Sequence, residues 1–321
     1  MIARLCLPLA LAALLGCESP HKTSEEVEVP NAEATSLSGK PLFPKFYSEE
    51  VKQKRTEEWR QAQADYQKDS SDLENIIWYG RRTAYLQQYG KALEIYSRGL
   101  QLFPKSARLY RHRGHRYIST RQFDKAIEDF ERAAQLIEGQ PLITEPDGIP
   151  NKFNIPLGNT QFNIYYHWGL AHYLKGNFKE AIPIYEECLK YCNNDDLMVA
   201  TVDWLYMSYR RNQDTLQAAQ LLERVHPDMK IIENQSYFRR LMMYQGLESA
   251  DSLLQVVDED DLDAKYLTLA TQGYGVANWY YYHLEMDKAR DLLQQITATD
   301  SWAAFGYIAA EADLHRLKTG P

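Results

Sequence analysis

The chain reads as all-α: a right-handed α-solenoid of stacked helix-turn-helix repeats, ended by a C-terminal capping helix. Two observations predict this. Gly80, Ala92 and Tyr96 are matched 34 residues later by Gly114, Ala126 and Phe130, and the same internal offsets return at Gly169, Ala181 and Tyr185. A small residue, a gap of twelve, then Ala and an aromatic fits two helices that cross closely and share a core ring. A unit of this size cannot bury its apolar face alone, so neighbours must stack. The second observation is composition. At 45% hydrophobic and 25% charged residues the chain is ordinary for a folded protein.

The elements follow in order. Arg4 and the apolar stretch Leu5 to Leu15 have the charge and length of a signal peptide. The stretch ends Leu14-Leu15-Gly16-Cys17, which resembles the lipobox of bacterial lipoproteins. That resemblance implies cleavage after residue 16 and acyl chains on Cys17, hence a membrane partner through a lipid anchor. Glu18, in the place where Asp would signal inner-membrane retention, implies an outer-membrane lipoprotein of the cell envelope, facing the periplasm or the surface. Residues 17–45 are rich in Pro, Ser, Thr and Glu and are expected to be a disordered tether. An N-terminal helix is expected within 46–72, capped by Ser48, with Val51, Trp59, Ala62 and Tyr66 on its buried side.

Residues 73–140 hold the first two repeats, with Pro104 ending the helix between them. The second reads Tyr110, Gly114, Tyr117, Phe123, Ala126, Phe130, Ala133; the third, at 162–198, reads Tyr165, Trp168, Gly169, Gly176, Phe178, Ala181, Tyr185. These residues resemble the tetratricopeptide repeat, whose core positions run large residue, Gly, Tyr, Ala, Phe, Ala. Residues 199–298 keep the spacing loosely through Leu205, Tyr209, Ala218, Leu222, Leu241, Ala250, Leu254, Ala277, Tyr280, Ala289 and Leu293, with Tyr206 where the close-packing Gly belongs. Residues 299–321 hold the cap, expected to turn Trp302, Phe305, Ile308 and Ala312 inward and Glu311, Asp313 and Arg316 outward.

The period fails once. A step of 34 places the third repeat at residue 141, yet it starts near residue 162. The extra segment, 141–161, is too rich in Pro, Gly and Asn for a helix, while Ile143, Ile149, Phe153, Ile155 and Leu157 are too apolar for a loose linker. An ordered loop packed on its neighbours is expected, either a pad between repeats or a wall shaping a pocket over the concave face. Asp147, Asn151, Phe153 and Asn154 are its candidate contact residues.

The family resemblance implies that the first helix of each repeat lines a concave groove for a protein or peptide partner. Arg81, Arg108, Arg111, His115, Tyr166, Leu170 and Tyr173 then become the groove residues, with Arg82, Ile118 and Ser119 beside them. Arginine forks suit carboxylates. The alternative is a solvated helix face whose arginines pair with acids of adjacent helices.

Other chemistry is weakly signalled. His112, His115, His167 and His172 lack an organising motif, so no metal is expected. The acidic run Asp258–Asp263 lacks the glycine of a calcium loop. Cys188 and Cys192, four apart, read as small buried residues. A formal charge of −8 argues against nucleic acid. No P-loop, dinucleotide fingerprint or nucleophile elbow is present, so no cofactor and no catalytic residues are expected. The expected function is a lipid-anchored scaffold for a protein partner. Glycan capture at the outer membrane is the alternative, and an enzyme using Glu145 and Asp147 under the loop is a lower one.

Overall fold

The computed structural model of the chain describes residues 31–45, 47–255 and 262–319. Cys17, the preceding signal and residues 258–261 of the acidic run lie outside them. The described residues belong to one unit, Asn31–Pro321.

A two-stranded antiparallel hairpin comes first, β1 (Ala34–Thr35) and β2 (Pro41–Leu42), turned at Gly39 with φ +83°. This corrects the expected tether over residues 31–45. Leu42 is buried in the main core, and Leu37 packs against it. Two apolar anchors flanking a glycine turn are enough to seat a short ribbon on a surface formed elsewhere.

Helix α1 (Glu49–Lys68) starts where Ser48 accepts a hydrogen bond from the Val51 amide. Ala62 is buried on it and Trp59 and Tyr66 pack against the core, but Val51 faces solvent. The first repeat is α2 (Leu73–Tyr85) with α3 (Tyr89–Leu102), and the second is α4 (Ala107–Ser119) with α5 (Phe123–Ile137). After the insert, α6 (Thr160–Lys175) pairs with α7 (Phe178–Cys188). Close approach explains the glycine of each repeat. A Cβ at Gly80, Gly114 or Gly169 would lie 2.3, 2.9 or 2.8 Å from the ring of Tyr96, Phe130 or Tyr185 respectively. No larger residue fits without displacing a buried aromatic.

The pairs continue as α8 (Asp195–Arg211) with α9 (Thr215–Leu222), and α10 (Gln235–Tyr244) with the short α11 (Ala250–Leu254). Then α12 (Leu262–Thr268) runs through a π turn at Leu269–Gly273 into α13 (Tyr274–Tyr282), which pairs with α14 (Met286–Thr297). Tyr206, in place of the packing glycine, is buried and stacks on Tyr244 with ring centroids 4.4 Å apart. The aromatic replaces backbone contact with ring contact.

The repeat survives in the backbone where it fades in the side chains. Seven residues after each glycine position the turn between paired helices takes a left-handed residue: Gln87, Arg121, Gly176, Gln213, Gly246 and Leu284, with φ between +62° and +88°. Gln87 and Arg121 are 34 apart, whereas Arg121 and Gly176 are 55 apart, which places the extra 21 residues in the insert.

Helix α15 (Phe305–Thr319) closes the chain. Ile308, Ala309, Ala310 and Ala312 are buried as an inward face should be, but so are Glu311 and Asp313, at 8% and 5% exposure. The amphipathic reading of this helix is therefore wrong on its acidic residues. Both find buried arginines, which an exposed cap would not need.

Leu284 is 84% exposed and sits at φ +63° with no packing to hold it there. A non-glycine residue in this region costs on the order of 1 kcal/mol. Leu284→Gly should therefore raise the stability to urea by about 1 kcal/mol, and an unchanged or lower midpoint would show that the turn carries no strain.

Candidate functional site

The first helices of the pairs share one face, and the chain's own C-terminal segment lies against it. Phe305 packs on the rings of His115 and His167, with centroids 5.3 and 5.5 Å away, joining α4 and α6 to the end of the chain. Arg121, in the left-handed turn after α4, donates from Nη2 to Glu311 Oε2 at 2.7 Å and to the Trp302 carbonyl at 2.8 Å. The same Glu311 accepts the Leu37 amide at 2.5 Å, and Trp302 Nε1 donates to the Phe43 carbonyl at 2.6 Å. Hairpin, second repeat and α15 thus meet at one buried ion pair.

A second pair lies further along. Arg211, in the last turn of α8, grips Asp313 through two bonds of 2.9 and 3.0 Å. Arg316 adds a third bond to Asp313 at 2.6 Å, and the Tyr274 hydroxyl lies 3.0 Å from it. These donors hold the Asp313 carboxyl below its usual range despite burial. A third buried pair, Arg240 with Asp203 at 2.6 and 3.0 Å, joins α10 to α8.

The expected groove residues are consequently not a free surface. Leu170 and Tyr173 are fully buried, Tyr173 beneath Tyr274 and Asn278 at 2.8 and 3.0 Å. Tyr166 is buried and its hydroxyl meets that of Tyr237 at 2.7 Å. Arg108 forks onto Glu74 of α2, as the solvated-face alternative has it. His115 is half-buried at the wall of a cavity. What repeats alone would leave open, the chain fills with its own C-terminus.

The insert takes up the remaining arginines. Arg111 Nη2 lies 3.1 Å from Glu145 Oε1, with His112 Nε2 at 3.7 Å. Asn163 donates to the other Glu145 oxygen at 3.1 Å. Arg81 and Arg82 donate to the carbonyls of Pro146 and Gly148, both at 2.9 Å. Thr144 bridges to Asn159, closing the loop at its base. The loop is ordered, but by polar bonds. Most of its apolar side chains do not pack on the neighbours as expected: Ile149 is 64% and Phe153 56% exposed, and Ile143 and Ile155 also face solvent, while Leu157 is half-buried. Asn154 is exposed at φ +54°, while Asp147 and Asn151 are half-buried. Glu145, committed to Arg111, is not placed as a free acid or base. Burial, with Glu233 nearby, raises the Asp147 carboxyl.

One cavity stays open on the shared face. It holds about 370 Å³ and is walled by Tyr89, His115, Tyr237, Phe305, Arg116 and Ser236 among others. No residue of the 141–161 loop lines it. The loop touches only its rim, where Asn151 donates to Glu233 at 2.6 Å. Arg116 lies over the Tyr89 ring at 5.3 Å, and among the described residues no carboxylate pairs with it. A sequence signal for this cavity was faint: Arg116 sits in the basic run 111–116, but Ser236, Tyr237 and Phe305 come from distant elements.

Burial lowers the imidazoles of this region. His167 is pulled to about 3, and His112 and His115 fall well below their usual value, with nearby arginines adding to the effect. All three are neutral near pH 7. The rings of His115 and His167 are 4.5 Å apart, yet among the described residues no group of three or more His, Cys, Asp or Glu is placed to hold a metal. Cys188 is buried and Cys192 half-buried, both against Thr201 Oγ1 at 3.5 and 3.2 Å. No described helix is long and apolar enough to cross a membrane.

Residues 107–139 and 162–195 each match tetratricopeptide-repeat family profiles, which covers the second and third repeats. Human tetratricopeptide repeat protein 13 is 30% identical over 105 residues, 33% of this chain but only 10% of that protein. Among solved structures, YrrB, a repeat protein described as having an unusual peptide-binding site, aligns over 80% of this chain and 97% of its own at 15% identity and a TM-score of 0.41. MamA aligns over 65% and 92% at 17% identity and 0.41. The Cut9–Hcn1 assembly aligns over 83% and 42% at 13% identity and 0.44.

The buried histidines set an acid limit. Each binds a proton in the unfolded chain below about pH 6.5 but stays neutral when folded. Stability contributed by neutrality is therefore present above the unfolded value and lost as pH falls towards the folded one, at up to about 1.4 kcal/mol per pH unit per group. Urea titrations at pH 7 and pH 5 should show a smaller loss for His167→Phe than for the unaltered chain. Equal losses would mean that His167 does not titrate differently in the two states.

Proposed function

We propose that this chain, built on tetratricopeptide repeats, is a lipid-tethered scaffold that holds a polypeptide segment bearing an acidic side chain in the open cavity beside Arg116. The carrying observation is a guanidinium that pairs with no carboxylate among the described residues. Three buried arginines nearby are matched by carboxylates, Arg111 by Glu145, Arg121 by Glu311 and Arg240 by Asp203. Arg116 is left over on an aromatic wall, in a cavity of about 370 Å³. A carboxylate entering there gains a charge-assisted bond in a partly desolvated place, worth about 1.5–3 kcal/mol. Tyr237 and Phe305 offer apolar contact to the flanking residues. Glu233 at the rim connects through Asn151 to the exposed Ile149, Phe153 and Ile155, where a segment leaving the cavity can continue.

A peptide is favoured over a glycan by the condition of the aromatics. Trp204 and Tyr274 also line the cavity but are buried, so they offer no free ring face for a sugar to stack on. Selection of a displayed random-peptide library on the purified chain tests the reading. Enriched peptides should carry Asp or Glu, and Arg116→Ala should weaken them by about tenfold or more. Enrichment indifferent to Arg116, or saturable binding on a glycan array with no peptide selected, would overturn it.

The anchor belongs to the same proposal. Cys17 follows Leu14-Leu15-Gly16 and carries the acyl chains that hold the scaffold in the bacterial envelope, at the outer membrane. Cells fed an alkynyl fatty acid should label the chain, and Cys17→Ser should remove the label and release the protein from the membrane pellet. Label that persists in the variant would refute the anchor.

A further inference from the structure

A second cavity, of about 340 Å³, opens where α8, α13, α14 and α15 meet, and it carries excess positive charge. Its walls are Arg211, Arg316 and Asp313 with Asn278, Tyr281, Ala277, Leu293 and Leu317. Asp313 is the one carboxylate that pairs with the two guanidinium groups among the described residues. Its oxygens are already taken, by two bonds from Arg211, one from Arg316 and the Tyr274 hydroxyl. It has little capacity left to neutralise the second cation.

The cations, in contrast, have donors to spare. Each guanidinium has five N–H groups. Arg211 uses Nη1 and Nη2 on Asp313 and Asn278. Arg316 uses Nη1 on the Leu174 carbonyl and Nη2 on Asp313, and its Nε is buried without a partner. Both groups are held in place by aromatic faces: Arg211 lies 4.7 Å from the Phe178 centroid and 4.6 Å from that of Tyr281, and Arg316 lies 5.7 Å from Phe178. An orphaned guanidinium donor beside an uncompensated charge is costly in a partly buried place.

We propose that this cavity binds a small organic monocarboxylate with an apolar body, its carboxylate on Arg316 and Arg211 and its body against Ala277, Leu293, Leu317 and Tyr281. The excess of one positive charge matches a monoanion, and the Asp313 carboxylate beside it repels a dianion such as phosphate. The apolar walls reject a bare inorganic ion for a second reason, since they give it no hydrogen bonds in exchange for water. The volume lies at the low end of small-molecule sites, about 300–1,000 Å³, which suits a small free acid. The site is separate from the Arg116 cavity, and its test does not depend on that reading.

Calorimetric titration of the full chain with phenylacetate, hexanoate, phenylacetamide and inorganic phosphate decides the matter. A carboxylate should bind saturably at one site, with the amide and phosphate weaker by about tenfold or more. Arg316→Gln should weaken the acid by a similar factor. Leu317→Trp, a partly exposed position that fills the cavity and leaves the ion pairs intact, should abolish binding without moving the melting point of the unliganded protein. No carboxylate binding up to about 10 mM, equal binding of the amide, or full binding in the folded Leu317→Trp variant would each overturn the proposal.

Discussion

Two acidic residues of α15 are buried, and much of the arrangement depends on how arginines meet them. Glu311 and Asp313 enter the face shared by the inner helices, where an unpaired carboxylate would cost several kcal/mol. Arg121 and Arg211 meet them. Arg121 stands in the left-handed turn of the second repeat and Arg211 in the last turn of α8, so repeat geometry sets where the cations are presented. The hairpin hangs on the same point, since Glu311 takes the Leu37 amide and Trp302 reaches the Phe43 carbonyl. Chain segments more than 250 residues apart are thereby fastened to one ion pair.

That fastening changes what the repeats can offer a ligand. A stack of helix pairs presents a long face, and this chain covers most of it with itself. Tyr166, Leu170 and Tyr173 become core residues. What stays open is local: among the described residues, a cavity with an arginine that no carboxylate matches, and a second with more guanidinium than carboxylate.

The insert is governed by the same accounting of charge. Glu145 is the counter-ion for Arg111 and approaches His112, and the carbonyls of Pro146 and Gly148 cap Arg81 and Arg82. Polar groups hold the loop down and its apolar residues face outward. Composition pointed to the reverse, because apolar content says that a segment wants contact but not with what. Much of the early repeat was legible because it rests on local offsets: Gly80 with Tyr96, Gly114 with Phe130 and Gly169 with Tyr185 lie 16 residues apart on neighbouring helices. After α7 the glycine is replaced by Tyr206 and then lost, while the left-handed turn persists at Gln213, Gly246 and Leu284. Only glycine announces such a turn in sequence, so Gln213 and Leu284 were silent.

The amino-acid sequence by itself determined the helical repeat, its period and the place where that period breaks, because each is a matter of short-range spacing. The tertiary structure decided which arginines are spent, that α15 turns its acids inward, and which cavities remain. Those outcomes depend on pairs such as Arg121 with Glu311 and Arg211 with Asp313, 190 and 102 residues apart. Charge matching across such distances leaves no periodic trace along the chain. It exists only once the stacked repeats have brought both partners into the same low-dielectric space.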